Sequence, residues 1–160
     1  MLLHLLRHAH AGDPSSWNGP DAARPLSDKG QGQSERVGAH LASIGFTTDA
    51  LISSPKLRAS QTAEIVARHI GATVVIDERL AGSLDLPTVE AVLRDAGDPD
   101  RPMLVGHDPD FSELLASLSA AAGIPMRKGA LARIELDRPV RAGGGTLRWL
   151  LPPDALKPER

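Results

Sequence analysis

Short apolar segments with strand character alternate along the chain with amphipathic segments of helical periodicity, and this alternation constrains the fold more than any other feature. We expect strands at residues 2–6, 50–53, 73–76, 103–106, 131–136 and 146–151. Strands that alternate with helices predict an α/β protein, a three-layer α/β/α sandwich with a mostly parallel central sheet.

A capping residue and terminating glycines mark the ends of the first two predicted helices. The first starts at Ser27 and stops at Gly45, and its apolar side chains recur on one face that we expect to be buried: Val37, Leu41 and Ile44. The other helices are expected at residues 55–70, 88–95 and 109–121. Polar, glycine- and proline-rich segments at residues 11–25, 98–102 and 143–145 are predicted to be loops.

A length of 160 residues is typical of one domain, which we expect to span residues 1–151, with residues 152–160 as a C-terminal tail. No apolar run approaches the roughly 20 residues that a membrane-spanning helix needs. The apolar start at residues 1–6 is too short for a signal peptide, so the expected location is the cytoplasm.

Composition excludes several classes of protein. The chain has no cysteine, which excludes disulfides, thiolate metal sites and cysteine nucleophiles. A formal charge of −2 and 2% aromatic residues offer neither a basic surface nor stacking platforms, so no nucleic acid or membrane partner is expected. Nothing in the sequence indicates more than a monomer.

In a parallel sheet, ligands bind beyond the carboxyl ends of the strands, so residues directly after the predicted strands are candidates for a site. Arg7 and His8 follow the first strand, Arg58 lies in the helix after the second, and His107 follows the fourth. Guanidinium groups suit phosphate oxygens, and helix N-termini add amide donors. Histidine serves as a nucleophile as well as an acid or base. The set therefore predicts a site for a phosphoryl group.

Four other polar residues are not expected to take part in the chemistry. His4 lies within the first strand and His69 near a helix C-terminus, so both are interpreted as structural. His10 and Lys128 are candidates for the rim of the site, although a solvated role is favoured for both.

Four segments of the chain resemble the motifs of the histidine phosphatase superfamily, the phosphoglycerate-mutase-like proteins, and within it the short SixA-type phosphohistidine phosphatases. They occur in the family's order and approximate spacing: residues 6–9, 24–30, 53–63 and 105–109. The resemblance covers most of the chain as far as Leu136. It implies a phosphoglycerate-mutase-like fold, and the short length leaves no room for the inserted cap subdomain of larger members.

The resemblance also implies a mechanism. His8 would attack phosphorus in line and form a transient phosphohistidine, while Arg7, Arg58 and His107 would bind the phosphate oxygens and stabilise their charge. No metal and no cofactor would be needed. The implied substrate is phosphohistidine in a protein, and a small phosphorylated metabolite is the alternative.

One departure from the family concerns the general acid. Larger members carry a glutamate shortly after the third strand, whereas residues 77–83 hold no carboxylate at that place. Asp85 is the nearest candidate, and Asp13 and Asp108 are looser ones. A missing acid favours a phosphoramidate substrate over an alkyl phosphate, because the ring nitrogen of a phosphorylated imidazole can already be protonated.

Two other hypotheses compete with this interpretation. His8 and His10 form a His-x-His pair, and His107 with Asp108 could complete the ligands of a metal-dependent hydrolase, although Arg7 would place a positive charge beside the metal. The barrel that commonly uses such a pair also needs about 250 residues. A non-catalytic phosphate-binding module is the second alternative.

Overall fold

The computed structural model describes residues 1–159 and contains one six-stranded sheet in the order β3-β2-β4-β1-β5-β6. The strands are β1 (Leu2–Arg7), β2 (Ala50–Ser53), β3 (Val74–Ile76), β4 (Pro102–Gly106), β5 (Leu131–Leu136) and β6 (Gly145–Leu151). The first four strands are parallel, β5 is antiparallel to β1, and β6 is antiparallel to β5. The expected mostly parallel sheet is confirmed.

Four helices cover the two faces of this sheet: α1 (Asp28–Ser43), α2 (Leu57–Ile70), α3 (Leu86–Asp95) and α4 (Asp110–Ser119). Successive side chains of a strand point to opposite faces, and β4 shows how this builds two cores. Leu104 packs with the apolar residues of α3 and α4, while Met103 and Val105 pack with those of α1 and α2. The three-layer sandwich follows from this alternation. No helix within residues 1–159 is long and apolar enough to cross a membrane.

The helix ends agree with the sequence signals in part. Ser27 caps α1 as expected, because its hydroxyl accepts a hydrogen bond from the Gly30 amide at 3.1 Å. The expectation that Ile44 is buried is wrong: it follows the last helical residue, where the chain leaves helical geometry, and it is 55% exposed. α3 begins two residues earlier than predicted, and α4 ends at Ser119 because Ala120 adopts a left-handed conformation.

Part of the C-terminal segment expected as a tail packs against the domain. A 3₁₀ helix at Pro153–Leu156 buries Pro153, and Leu156 packs against the core beneath α1 and α2. Arg160, the last residue of the expected tail, lies outside the described residues.

The register of the parallel strands brings three chain segments together at one edge of the sheet. Arg7 is paired with Gly106, and Ser53 with Val105, so β1, β2 and β4 end side by side. Main-chain hydrogen bonds continue this register one residue further, from the His8 amide to the Gly106 carbonyl and from the Ser54 amide to the Val105 carbonyl, both at 2.9 Å. The residues that follow these strands are therefore neighbours.

The loop after β1 is held against the start of α1 by an unusually close main-chain approach. The His10 carbonyl accepts hydrogen bonds from the Ser27 amide and hydroxyl at 3.0 and 3.1 Å. A Cβ atom on Gly30 would lie 1.9 Å from that carbonyl oxygen, so no larger residue fits there without moving the loop.

We expect Gly30→Ala to destabilise the protein by about 1–3 kcal/mol, since the new methyl group must displace main chain rather than a flexible side chain. Gly32→Ala in the same helix is the matched control, because a Cβ there meets only the Arg36 guanidinium at 3.4 Å. It should stabilise the helix by up to about 1 kcal/mol. Urea unfolding of both variants measures the difference, and equal effects would contradict the close approach.

Candidate active site

The structure brings together the four residues predicted to form a phosphate site. Arg7 ends β1, His8 follows it, Arg58 lies in the first turn of α2, and His107 follows β4. The rings of His8 and His107 are tilted towards each other with centroids 5.1 Å apart. His8, Arg58 and His107 are buried, and Arg7 is partly buried. Four nitrogen-rich side chains therefore share one small, largely desolvated volume.

The environment of His8 fixes its protonation and its tautomer. Its Nδ1 lies 2.8 Å from the Ala9 carbonyl oxygen, which only accepts hydrogen bonds, so Nδ1 carries the proton. Burial, together with the nearby His107, Arg58 and Arg7, lowers the pKa of His8 to about 3. The ring is therefore neutral at physiological pH, with a lone pair on Nε2, which is the form required of a nucleophile.

His107 is oriented by a hydrogen-bond chain from the strand end beside it. Its Nε2 lies 2.7 Å from the Ser54 hydroxyl oxygen, which accepts a hydrogen bond from the Lys56 amide at 3.2 Å. We assign the proton of the Ser54 hydroxyl to a bond with Nε2, because this hydroxyl has no other acceptor among the described residues, and this tautomer carries the proton of His107 on Nδ1. Burial and the charge of Arg58 lower the pKa of His107 to about 4, so this ring is also neutral.

Carbonyl and carboxylate oxygens bind the terminal guanidinium nitrogens of the two arginines. Arg7 donates to the Met126 carbonyl at 2.7 Å and forms an ion pair with Asp108 at 3.4 Å. Arg58 donates to the main-chain carbonyl and to the carboxylate of Asp21, at 2.9 and 3.0 Å. These contacts fix each guanidinium plane while leaving other nitrogens unused.

Three buried donors in this volume have no hydrogen-bond partner among the described residues: Nε of Arg7, Nε of Arg58 and Nδ1 of His107. Leaving a buried donor unpaired costs about 1–3 kcal/mol, and most such donors in folded proteins are satisfied. Among the described residues, one other buried side-chain atom lacks a hydrogen-bond partner, Nε of Arg36 on α1. The arrangement beside His8 is suited to an acceptor with several oxygens and negative charge, which describes a phosphoryl group.

The structure adds site residues that the sequence did not single out. Asp21, in an exposed 3₁₀ helix of the loop after β1, contacts both Arg58 and Arg24, the latter at 3.3 Å. The Thr62 hydroxyl accepts from the Ala9 amide at 3.1 Å and donates to the Arg58 carbonyl at 2.7 Å, and so joins β1 to α2. The composition of residues 11–25 predicts only a loop with turns. Nothing in the sequence marks Asp21 as a partner of Arg58 or Arg24.

Each carboxylate considered as a general acid has a hydrogen-bond or ion-pair partner in the structure. Asp85 caps α3, accepting from the Thr88 amide and hydroxyl, and these bonds hold its pKa below the usual range. Asp13 likewise caps a short 3₁₀ helix. Asp108 contacts Arg7, as Asp21 contacts Arg58. The geometry gives the Asp85 carboxylate a capping role, and the expectation that it supplies the acid proton gains no support from it.

Lys128 and His10, the candidates for the rim of the site, are both half-buried. The Gly129 amide donates to the carbonyls of Arg7 and His8, at 3.1 and 3.0 Å, and so anchors the turn that carries Lys128. Partial burial and the charges of Arg7 and Arg24 lower the pKa of Lys128. The Nδ1 atom of His10 lies 2.6 Å from the hydroxyl oxygen of Ser27. Within residues 1–159, no group of three histidine or carboxylate side chains is arranged to hold a metal ion.

His4 and His69 make contacts that agree with structural roles. His4 is fully buried: its Nδ1 donates to the Pro102 carbonyl at 3.1 Å, and its Nε2 accepts from Arg133 at 2.9 Å. His69 packs against Gly38 of α1, and its Nε2 lies 2.5 Å from the Glu35 carboxylate.

Stability should fall in mild acid, because the folded protein keeps three histidines neutral. Burial lowers the pKa of His8 to about 3 and the pKa of His4 and of His107 to about 4. The ordinary value of 6.5 returns on unfolding, so below pH 6.5 the unfolded chain binds protons that the folded chain does not. We expect the free energy of unfolding to decrease from pH 7 to pH 5 by about 2 kcal/mol for each histidine. Urea unfolding at both pH values measures it, and an unchanged free energy would contradict the neutral assignment.

Comparison with known proteins agrees with this geometry. The family model of the histidine phosphatase superfamily (branch 1) matches residues 3–83. An uncharacterized protein of Picosynechococcus sp. is 34% identical over 116 residues, which cover 71% of this chain and 70% of that protein. The 8-oxo-(d)GTP phosphatase of Mycolicibacterium smegmatis is 29% identical over 104 residues, and the match spans 62% of this chain but only 32% of that protein.

A solved structure extends the likeness to nearly the whole chain. The protein histidine phosphatase SixA, determined in complex with tungstate, superimposes with a TM-score of 0.84 and 25% identity, covering 98% of this chain and 100% of SixA. Fold, motif order and site geometry thus point the same way. The chain belongs to the histidine phosphatase superfamily, branch 1, and is a phosphatase with the SixA-type form of the phosphoglycerate-mutase-like fold.

Proposed function

We propose that this protein is a metal-independent phosphatase that forms a phosphohistidine intermediate on His8 and dephosphorylates phosphohistidine in another protein. The observation that carries the proposal is the set of three unpartnered buried donors, Nε of Arg7, Nε of Arg58 and Nδ1 of His107, beside a neutral imidazole. These groups provide hydrogen bonds and positive charge, which are what the transfer of a phosphoryl group requires of its surroundings.

In the first step, the lone pair on His8 Nε2 attacks phosphorus, and the new P–N bond forms as the bond to the leaving group breaks. The Nδ1 proton stays on His8 and keeps its bond to the Ala9 carbonyl, which stabilises the phosphorylated ring. Arg7, Arg58 and His107 bind the three non-bridging oxygens, whose charge they stabilise during the transfer. The leaving imidazole of the substrate departs with the proton that its ring already carries.

In the second step, water attacks phosphorus from the side that the leaving group has vacated. The P–N bond to His8 breaks, its electron pair returns to Nε2, and a water proton is released with inorganic phosphate. The same three donors serve both steps, because the phosphoryl group moves only a short distance between them. His8 ends the cycle neutral and ready for the next turnover.

A phosphohistidine substrate suits the carboxylates of the site. Asp21 and Asp108 are paired with arginines, and Asp85 caps a helix, so each of these three carboxylates already has a structural partner. A phosphoramidate needs less help from an acid than an alkyl phosphate does. The likeness to SixA, which is named as a protein histidine phosphatase and matches over its full length, supports a protein as the carrier of the phosphoryl group.

Replacing His8 by Ala should abolish hydrolysis of p-nitrophenyl phosphate and of phosphohistidine, because no nucleophile remains. Phosphate release measures this, with His40→Ala, which changes a half-buried histidine in the last turn of α1, as the control. Substantial activity in the His8→Ala protein would refute the nucleophile assignment.

Replacing Arg58 by Ala should lower kcat/KM by about 10²–10³-fold and weaken inhibition by inorganic phosphate, because one buried donor to the phosphoryl oxygens is lost. The matched control is Arg68→Ala, ten residues further along α2, whose side chain is 64% exposed. The two variants remove the same charge from the same helix. A similar loss in both would show that Arg58 acts only through net charge.

The protein should hydrolyse phosphohistidine with a kcat/KM at least about 10² times that for an alkyl phosphate such as glycerol phosphate, since no acid assists the alkoxide. A substrate panel of free phosphohistidine, a phosphohistidine peptide, nucleotides and sugar phosphates measures the ranking. A clear preference for alkyl esters or nucleotides would favour the small-metabolite alternative on the same site.

A further inference from the structure

A groove of about 630 Å³ opens directly beside the phosphate site. One wall is the exposed side of α4 and the residues before it, with Asp108, Glu113 and Ala116. The other wall is the segment after α4, with Ile124 and Pro125. The proposed chemistry uses none of these residues except Asp108.

The groove is continuous with the site through Arg7 and Ser112. Asp108, at one end of the groove, forms the ion pair with Arg7, and the Ser112 hydroxyl donates to the same carboxylate at 2.7 Å. The Ser112 hydroxyl oxygen also accepts a hydrogen bond from the Met126 amide at 3.2 Å, and the Met126 carbonyl accepts one from the Arg7 guanidinium. The two walls of the groove are therefore held to each other and to a phosphate-binding arginine by one short hydrogen-bond network.

The groove is apolar along its length and acidic on one wall. Of its described lining residues none is Lys or Arg, and its two charged residues are Asp108 and Glu113. Arg7 neutralises Asp108, whereas Glu113 is exposed and forms no ion pair with another described residue. A ligand in this groove would meet apolar side chains and one uncompensated carboxylate.

The length of the groove sets the size of its occupant. Ser112 and Ala116 lie one turn apart on the same side of α4, and Asp108 precedes the N-terminal end of this helix. At 1.5 Å per residue, the helix rises about 6 Å from Ser112 to Ala116, and the groove continues past the start of the helix to Asp108, so it is longer than one helical turn or two residues of extended chain. The chain that flanks a phosphorylated residue in a protein can fill a groove of this length, whereas a small phosphorylated metabolite confined to the phosphate site would not reach along it.

We infer that this groove docks the polypeptide segment that flanks the phosphohistidine of the substrate protein, and that Glu113 selects segments with a basic residue one or two helical turns from it. The inference rests on the proposed function and specifies its substrate class. A basic residue of the bound segment would be attracted by the Glu113 carboxylate. An acidic residue at the same place would be repelled by it, because the groove lining contains no Lys or Arg.

A pair of peptides tests the inference. Both carry a central phosphohistidine in an alanine-rich sequence of 19 residues, one with lysines four and seven residues away on each side, the other with glutamates there. Phosphate release gives kcat/KM for each peptide, and the ratio cancels any general loss of activity. We expect the wild-type protein to prefer the lysine peptide by about three- to tenfold, as a few exposed charge pairs allow.

The Glu113→Lys variant should bring the ratio to one or invert it. Glu64→Lys makes the same change of charge on an exposed part of α2 and is the matched control, which should keep the wild-type ratio. A wild-type ratio near one, or an equal shift in both variants, would overturn the inference. If neither peptide is hydrolysed, the proposed function fails. Fluorescence polarisation of the labelled peptides then decides the groove separately, since equal affinities would overturn it and a preference for lysine that only Glu113→Lys removes would support it.

Discussion

Positive charge buried without a full complement of negative charge is the constraint on which the rest of this structure depends. Arg7 and Arg58 lie with His8 and His107 in a volume from which water is largely removed. Arg7 pairs with Asp108, whereas Arg58 shares the single carboxylate of Asp21 with the buried Arg24, so three guanidinium groups have two carboxylates between them. The two histidines stay neutral because a further positive charge there would be costly. In the proposed mechanism a phosphoryl dianion supplies the missing charge, and the donors that would bind it are in place before the substrate arrives.

The fold holds this arrangement through main-chain contacts more than through side-chain pairs. Parallel strands of matched length end together, and the residues that follow them are joined by amide-to-carbonyl hydrogen bonds. The carbonyls of Ala9 and Met126 then set the tautomer of His8 and the position of Arg7. Carbonyl oxygens bring no charge of their own, which leaves the site positive. A site with this charge is suited to an anion.

Much of this could be predicted from sequence because the strongest signals are local. The alternation of strands and helices gives the sheet, and the rule that ligands bind at the carboxyl ends of strands points to Arg7, His8, Arg58 and His107. Asp21 could not be found this way, since its contact with Arg58 spans 37 residues and depends on the path of an irregular loop. Asp85 looked available as an acid because its capping of α3 is invisible until the start of that helix is known. Ile44 follows the helical period one residue beyond the end of the helix, so periodicity alone assigned it to the core.

The central claim is that the phosphoryl group passes through His8. Rapid mixing of the protein with excess substrate, an alkaline quench and mass spectrometry of the proteolysed chain test it directly. The account predicts a phosphoryl group on the peptide that contains His8, stable in alkali and lost in acid, and absent from the His8→Ala protein. Phosphate on Ser54 instead, or full turnover with no phosphorylated peptide at any time, would contradict it.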